Sequence, residues 1–364
     1  MNRRSFIKAT GATLAGLTFP LHLTSCAEIP IELSALEPPI GEVTVGIVRK
    51  DDIEEMVRTA IDLAGGLGDI TQGDTVVIKP NIVLGLAPYL PHRVFTHPEV
   101  LRAVIKAVKD QTDSSNITVA EASAVGTSTT EWARGTGILD IINEEKIHFL
   151  AWETAEYVKV TSHSFEHIDH AIRIPKSLTD GSFNHFINVP MLKNHDVVVG
   201  SNVDYTCCIK NHVAILRPLE RIFDKDDKLG EDVSFSDLNF GIHKSNLGEI
   251  SAELNLVVPK HVMNIVDALT VILTGGGAWM QMEAADPGLI LASKDRVACD
   301  SLGVAVLKHY ASEAGVDRPY VNKSVWDQAQ IKHAQHLNLG RKRQNIQIDF
   351  TDVDNIENIL DEWI

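Results

Sequence analysis

The chain has 364 residues, 44% hydrophobic and 23% charged, a balance that suits a globular protein with a sizeable core in one large domain or two lobes. Its formal net charge of −16 speaks against a nucleic-acid surface, which needs clustered Lys and Arg to neutralise phosphates. The sequence carries no Gly-x-Ser-x-Gly elbow, Walker loop or His-Glu-x-x-His, which disfavours the common serine hydrolases, nucleotidases and metalloproteases.

At the amino end, Asn2-Arg3-Arg4-Ser5-Phe6-Ile7-Lys8 precedes a weakly apolar run from Ala9 to Leu23, a pattern that looks like a twin-arginine export signal. Gly11, Gly16, Pro20 and His22 interrupt the run, and it is too short to cross ~30 Å of hydrocarbon comfortably. Leu23-Thr24-Ser25-Cys26 resembles a bacterial lipobox, with Cys26 as the lipidated residue; the alternative is an ordinary cleavage site beside an incidental cysteine. The expected partners are therefore the twin-arginine translocase during export and a membrane through acyl chains, with the body in the cell envelope. Residues 1–25 form the signal, 26–41 a Pro-containing tether, and 42–364 an α/β domain. Cys207, Cys208 and Cys299 remain, without Cys-x-x-Cys spacing, which speaks against an all-cysteine iron–sulfur or zinc site. Adjacent Cys207 and Cys208 read as two small buried residues in preference to a strained vicinal disulfide.

Val43 to Val48 predicts a strand, Ile53 to Leu63 a helix by apolar spacing, and Val76-Val77-Ile78 a second strand ended by Lys79-Pro80-Asn81. Thr96-His97-Pro98-Glu99 predicts a helix start, with Thr96 as N-cap and Pro98 in the first turn, and the apolar face runs through Leu101, Val104, Ile105 and Val108. Ile117 to Ala120 is a third strand, ended by Glu121-Ala122-Ser123. This alternation predicts βαβ units, a mainly parallel or mixed sheet and helices on both faces, with ligand groups at a switch point between strand ends.

The middle, Ile147 to Ile174, has strand-like runs and four histidines, His148, His163, His167 and His170; their spacing matches no common metal motif, so they read as scattered surface residues. Residues 218–248 are polar and read as an excursion or lid. Beyond them, Ile250 to Val257 predicts a helix, Val262 to Val266 a strand ending at Asp267, Gly275-Gly276-Gly277 a turn, Leu289 to Ser293 a strand, and Val297 to Tyr310 a helix.

The chemistry concentrates between Phe186 and Ala214, where Lys-Asn-His occurs twice, as Lys193-Asn194-His195 and Lys210-Asn211-His212. The first follows an apolar run ending at Pro190 and is expected where a strand opens into a loop. Lys79, Lys193 and Lys210 at element ends suit a local basic pocket for a small anion, carboxylate or phosphate, in an otherwise acidic protein, with Asn81, Asn194 and Asn211 orienting it. His195, His212 and His243 with Asp204 or Asp267 offer a ligand set for a divalent or redox metal, since imidazole and carboxylate suit iron, manganese or zinc. General acid or base work by the same histidines, without metal, is the alternative.

Taken together, Lys79-Pro80-Asn81, Thr96-His97-Pro98-Glu99, Val189 to His195, Ile209 to His212, Ile265-Val266-Asp267 and the Ala292-Ser293-x-Asp295-x-Val297-Ala298-x-Asp300 run resemble the family catalogued as domain of unknown function 362, over residues 75 to 310. The resemblance implies site positions more than a reaction. It points to Lys193, Lys210, His195 and His212 as catalytic candidates and to Lys79, Asn81, Glu121, Asn194, Asn211, Asp267, Asp295 and Asp300 as ligand-binding ones. Relatives with ferredoxin-type cysteine clusters differ from this chain, which lacks those cysteines. Glu121-Ala122-Ser123 and Gly275 to Trp279 also depart from the family pattern. Two functions follow as expectations: an envelope-facing lipoprotein enzyme acting on a small anionic substrate, with or without a metal, or a non-catalytic lipoprotein that binds a small ligand or cofactor.

Overall fold

Residues 30–82, 92–123, 128–195, 202–217, 246–258, 260–275 and 282–364 are described here, from a computed structural model. The first half supplies strands β1 (Ile31–Leu33) and β2 (Val43–Val48), helix α1 (Ile53–Leu63), β3 (Val76–Pro80), α2 (Pro98–Lys109), β4 (Ile117–Glu121), α3 (Thr129–Gly135), α4 (Ile138–Glu144) and β5 (His148–Ala151). There follow β6 (Tyr157–Ser162), β7 (Ile172–Pro175), β8 (His185–Val189), β9 (Met191–Asn194), β10 (Tyr205–Thr206), α5 (Cys208–Asn211) and α6 (Leu247–Glu253). The rest comprises β11 (Lys260–Thr274), β12 (Glu283–Ala285), β13 (Leu289–Ser293), α7 (Arg296–Glu313), α8 (Pro319–Asn322), α9 (Ala329–His336), β14 (Ile346–Thr351) and α10 (Ile356–Trp363).

The fold is α/β, built on an 11-stranded mixed sheet whose main path runs β14-β2-β13-β11-β8-β3-β4-β5. Only β13 runs against its neighbours in that path; the other pairs are parallel. Period-two alternation sorts the side chains. Val76 and Ile78 pack with α1, α2 and α4 on one face, while Val77 and Phe186 pack on the other with Trp152, α6 and a second sheet of order β1-β6-β7. Helices α7, α9 and α10 extend that second face over β2, β11 and β13. Helices thus cover both faces, as the strand–helix alternation predicts. In α2 the buried stripe Leu101, Val104, Ile105 and Val108 supplies ~1.5–3 kcal/mol per side chain, far more than helix propensity does. Among the described residues no helix is long and apolar enough to cross a membrane.

Four local expectations need correction. Residue 97, not 96, caps α2: His97 Nδ1 accepts from Glu99 N at 3.1 Å. Thr96 is fully buried because its hydroxyl accepts from Asn81 N at 2.8 Å and donates to Val189 O at 2.6 Å, clamping the ends of β3 and β8 together. The strand containing Asp267 does not end there, since β11 keeps pairing with β13 and β12 on one edge and with β9 on the other. The first Lys-Asn-His triplet lies on β9 and its end, because the chain resumes a strand after Pro190 and pairs with β10 and β11. Lastly, the stretch taken as a tether contributes β1, whose Ile31 and Leu33 register with Val160 and Ser162 of β6.

The connectivity creates a switch point. From β3 the chain proceeds through α2 to its neighbour β4, whereas from β8, on the other side of β3, it proceeds through β9, α5 and α6 to β11. The connections leave adjacent parallel strands in opposite directions, which opens a crevice at their carboxyl ends.

Candidate functional site

The ends of β3 at that crevice and of β4 beside it carry polar side chains in otherwise apolar runs. Lys79 and Glu121, at the ends of β3 and β4, are each fully buried and paired at 2.7 Å, and Glu121 Oε1 also accepts from Ala122 N at 2.8 Å. The Lys79 ammonium lies 5.9 Å from the centre of the Trp152 ring, so the pair has a polar partner on one side and an aromatic face on the other.

Beside this pair, five side chains form a continuous, one-directional chain of hydrogen bonds. Lys193 Nζ donates to Asn81 Oδ1 at 2.7 Å, Asn81 Nδ2 to Asn211 Oδ1 at 2.9 Å, and Asn211 Nδ2 to Asn188 Oδ1 at 2.8 Å. Asn188 Nδ2 continues to Asn264 Oδ1 at 3.1 Å, and Asn264 Nδ2 ends on Ser293 O at 3.2 Å. The chain ties β9 to β3, α5, β8, β11 and β13. Every amide donates toward Ser293, so each dipole reinforces the next and places carbonyl oxygen at the lysine end. A buried ammonium at one end of the row sets that polarity.

Asp267 holds the facing wall. Its buried carboxylate accepts from both Arg93 terminal nitrogens, at 2.6 and 3.3 Å, and from His97 N at 2.7 Å and Leu269 N at 3.2 Å. The fork-to-fork contact fixes the guanidinium plane, and Arg93 is not evident in the sequence because it sits in no regular element.

Lys193 is the unusual group. Its side chain is 2% exposed, and its ammonium bonds only neutral oxygens among the described residues, Asn81 Oδ1 and Val94 O. Burial, followed by the repulsion of Lys210, holds its pKa well below the ordinary lysine range; Arg93 and Lys79 add to the repulsion and Glu121 opposes it. Lys79, Arg93 and Lys210 thus all repel the Lys193 ammonium, while the carboxylates of Glu121 and Asp267 are bound to Lys79 and Arg93. A positive local potential of this kind attracts an anion.

The second triplet divides its tasks. Lys210 and Asn211 are buried at the end of α5, Asn211 within the amide row and Lys210 near Lys193. His212 is fully buried, donates Nδ1–H to Cys208 O at 2.9 Å and stacks on Phe186 with ring centres 5.2 Å apart. Burial, then the nearby Arg296 and Lys79 charges, pushes its pKa well down, so the ring stays neutral, and among the described residues its Nε2 has no hydrogen-bond partner.

In the first triplet, Asn194 Nδ2 donates to Asp204 O at 3.2 Å and His195 N donates to the same oxygen at 2.9 Å. The Asp204 carboxylate is bound to Lys323. Ligand atoms of His195, His212 and Asp204 do not gather among the described residues, because His212 lies in the core and Asp204 turns to Lys323. His243, the fourth residue expected in that metal set, lies outside the described residues, as do Cys26 and the Arg3-Arg4 pair.

Asp295 and Asp300 act at one remove from the crevice. Asp295 caps α7 by accepting from Ala298 N at 2.8 Å and also accepts from Arg341 N at 2.7 Å; burial raises its pKa. Asp300 accepts from Ile209 N at 3.2 Å and Gln330 Nε2 at 2.8 Å, so it anchors the start of α5 and, through it, Lys210 and Asn211; burial raises its pKa too. Cys207, Cys208 and Cys299 are buried free thiols in the same core. Asp295→Ala is expected to cost about 2–4 kcal/mol through the lost cap and the orphaned Arg341 N–H. Denaturant unfolding and anion titration of the same variant check this: stability falls while affinity stays within about two-fold.

Residues 76–305 match the family described as Domain of unknown function (DUF362). The chain belongs to this family. The matched stretch holds every crevice residue named above, from Lys79 to Asp267, and also the supporting Asp295 and Asp300. No curated protein and no solved structure matches the chain significantly. The DUF362 description names no reaction, so function has to be argued from the side chains themselves.

Proposed function

We propose that this DUF362 member is an envelope-facing lipoprotein that binds and acts on a small anionic molecule, a carboxylate or phosphate, in the crevice at the carboxyl ends of β3 and β8. One observation carries the reading: Lys193, buried and bonded among the described residues only to neutral oxygens, is repelled by Lys210, Arg93 and Lys79. Burying an ammonium without a carboxylate costs several kcal/mol, a cost that natural proteins bear mainly at functional sites. An anion entering there supplies a direct countercharge. The amide row behind Lys193 keeps Asn81 oriented, so the ammonium points to one position instead of wandering.

Lys193 is also the group suited to exchange a proton with the bound molecule. Its depressed pKa makes it a weak holder of its proton, and a bound anion strengthens that hold. His195 and Lys210 are the other members of the proposed catalytic set, from which the buried His212 is removed. His212, neutral and buried, serves by supporting α5.

The test is calorimetric titration of the protein with inorganic phosphate, sulfate, oxalate and malonate at low and high salt. Binding of at least one, weakening as ionic strength rises, is expected. Absence of binding across the panel overturns the reading. Turnover of a bound carboxylate or phosphate compound separates an enzyme from a carrier that presents its ligand unchanged. The envelope placement rests on Arg3-Arg4 and on Cys26 after the apolar run. Cys26→Ser is expected to release the protein from sedimenting membranes, since acyl burial at ~0.8 kcal/mol per methylene is lost; unchanged sedimentation removes the anchor from the account.

A further inference from the structure

Away from the crevice, the fold assembles a cluster of histidines that their sequence spacing conceals. His333 and His336 lie three apart on α9 and therefore share a face. His167 and Glu166 come from the segment between β6 and β7. Each of Glu166, His167 and His333 places one ligand atom within 4.8 Å of the others. His336 Nε2 lies 2.7 Å from Glu166 Oε1, and the His333 ring centre is 5.0 Å from that of His167 and 5.7 Å from that of His336. Three imidazoles and one carboxylate thus converge from segments about 165 residues apart in the chain.

A second group organises the first. Glu253, at the end of α6, is fully buried, and its Oε1 accepts from Glu166 N and His167 N, both at 2.9 Å. The same oxygen lies 3.1 Å from His333 Nε2, while Oε2 accepts from Ile168 N at 3.0 Å. One carboxylate therefore fixes the backbone of the loop that carries Glu166 and His167 and orients the His333 ring. That is the supporting role carboxylates play behind metal-bound histidines: the ring donates one nitrogen outward and presents the other to the metal. The Asn246 amide, 3.2 Å from His167 Nδ1, meets the edge of a second ring.

We propose that Glu166, His167, His333 and His336 form a site for a divalent transition metal, zinc foremost, independent of the anion crevice. Imidazole-rich sites with one carboxylate prefer zinc and its neighbours to magnesium or calcium, which require oxygen ligands. Bonds near 2.1 Å at tetrahedral angles set ligand separations of roughly 3.4 Å. The cluster reaches them by small rotations of Glu166 and His336, whose side chains are 49% and 61% exposed, around the buried His333. The metal would staple the β6–β7 loop to α9, with one side open to solvent.

The test titrates chelator-treated full-length protein with Co2+, follows ligand-field absorption, and then competes with Zn2+. The proposal expects one equivalent bound with four-coordinate intensity, displaced by Zn2+, and a higher melting temperature with Zn2+. His336→Ala, an exposed position that leaves the fold intact, should weaken binding at least tenfold and abolish the thermal shift. His167→Ala should do the same, and Glu253→Gln should weaken binding 10- to 100-fold, the usual effect of losing a supporting carboxylate. His170→Ala, whose ring nitrogen instead faces its neighbour Asp169, leaves binding unchanged. Absence of a Co2+ spectrum, or a spectrum unaltered in both His336→Ala and His167→Ala, overturns the site and leaves a hydrogen-bonded histidine–glutamate cluster. Loss of binding in His195→Ala with His336→Ala unaffected overturns it equally, by placing the metal at the crevice.

Discussion

Lys193→Met is expected to lower affinity for the phosphate and carboxylate panel by about 100-fold, ~2.7 kcal/mol, because the ammonium forms the charged contact and the thioether forms none. The same variant changes how stability depends on pH. The folded-state pKa of Lys193 lies well below its unfolded value because of burial and the repulsion of Lys210. Between those two values the unfolded chain binds a proton that the folded chain does not, so unfolding free energy rises with pH, by roughly 1.4 kcal/mol per unit at full linkage. Below the folded pKa both states are protonated and the folded state carries the whole desolvation cost; above the unfolded pKa both are neutral and the cost is gone. Lys193→Met lacks this slope, and the difference between wild-type and variant urea midpoints across the alkaline range isolates it. A lysine that only filled space would show the slope, which burial alone produces, without the affinity loss.

The second large effect concerns stability alone. Lys79→Met is expected to destabilise the protein by about 3–5 kcal/mol, because Glu121 stays buried without its 2.7 Å partner. Lys79→Met combined with Glu121→Leu should recover most of that loss, since an apolar pair of similar volume avoids both desolvation costs. Chemical denaturation of the two single variants and the double variant measures the coupling. If the double variant regains stability but loses anion binding, the pair is retained for its field at the crevice. Full additivity of the two losses would mean that the ion pair is not the interaction being removed.

The sheet was legible because its strands are short apolar runs ended by polar residues, and the burial of Val76, Val77 and Ile78 on both faces follows from that pattern. Lys79, Asn81, Lys193 and Asn211 stand out in the sequence as cations and amides at element ends, and the fold gathers them, with Lys193 bonded to Asn81 and Asn81 to Asn211. Asn188 and Asn264 were missed, although each interrupts a run of fully buried apolar residues, a signal that a buried amide must have a partner. Arg93 gave no local signal, since its role depends on Asp267, 174 residues away. The histidines misled: His212 follows Lys210-Asn211 like a site residue yet stacks on Phe186 in the core, while His167 looked like a surface residue and meets His333 and Glu253. Spacing along a chain reports neighbours within an element. Contacts between a loop and a helix 165 residues later are set by tertiary packing, which no local pattern records.

The central claim is that Lys193 supplies the charge for an anion bound between β3 and β8, and linked proton uptake tests it most directly. Calorimetric titrations in two buffers of different ionisation enthalpy, stepped from neutrality into the ordinary lysine range, report how many protons accompany each bound anion. Because a bound anion raises the depressed pKa of Lys193, the account predicts net proton uptake by the wild type over that range and none by Lys193→Met. Anion binding without proton uptake, at full affinity in Lys193→Met, would contradict it.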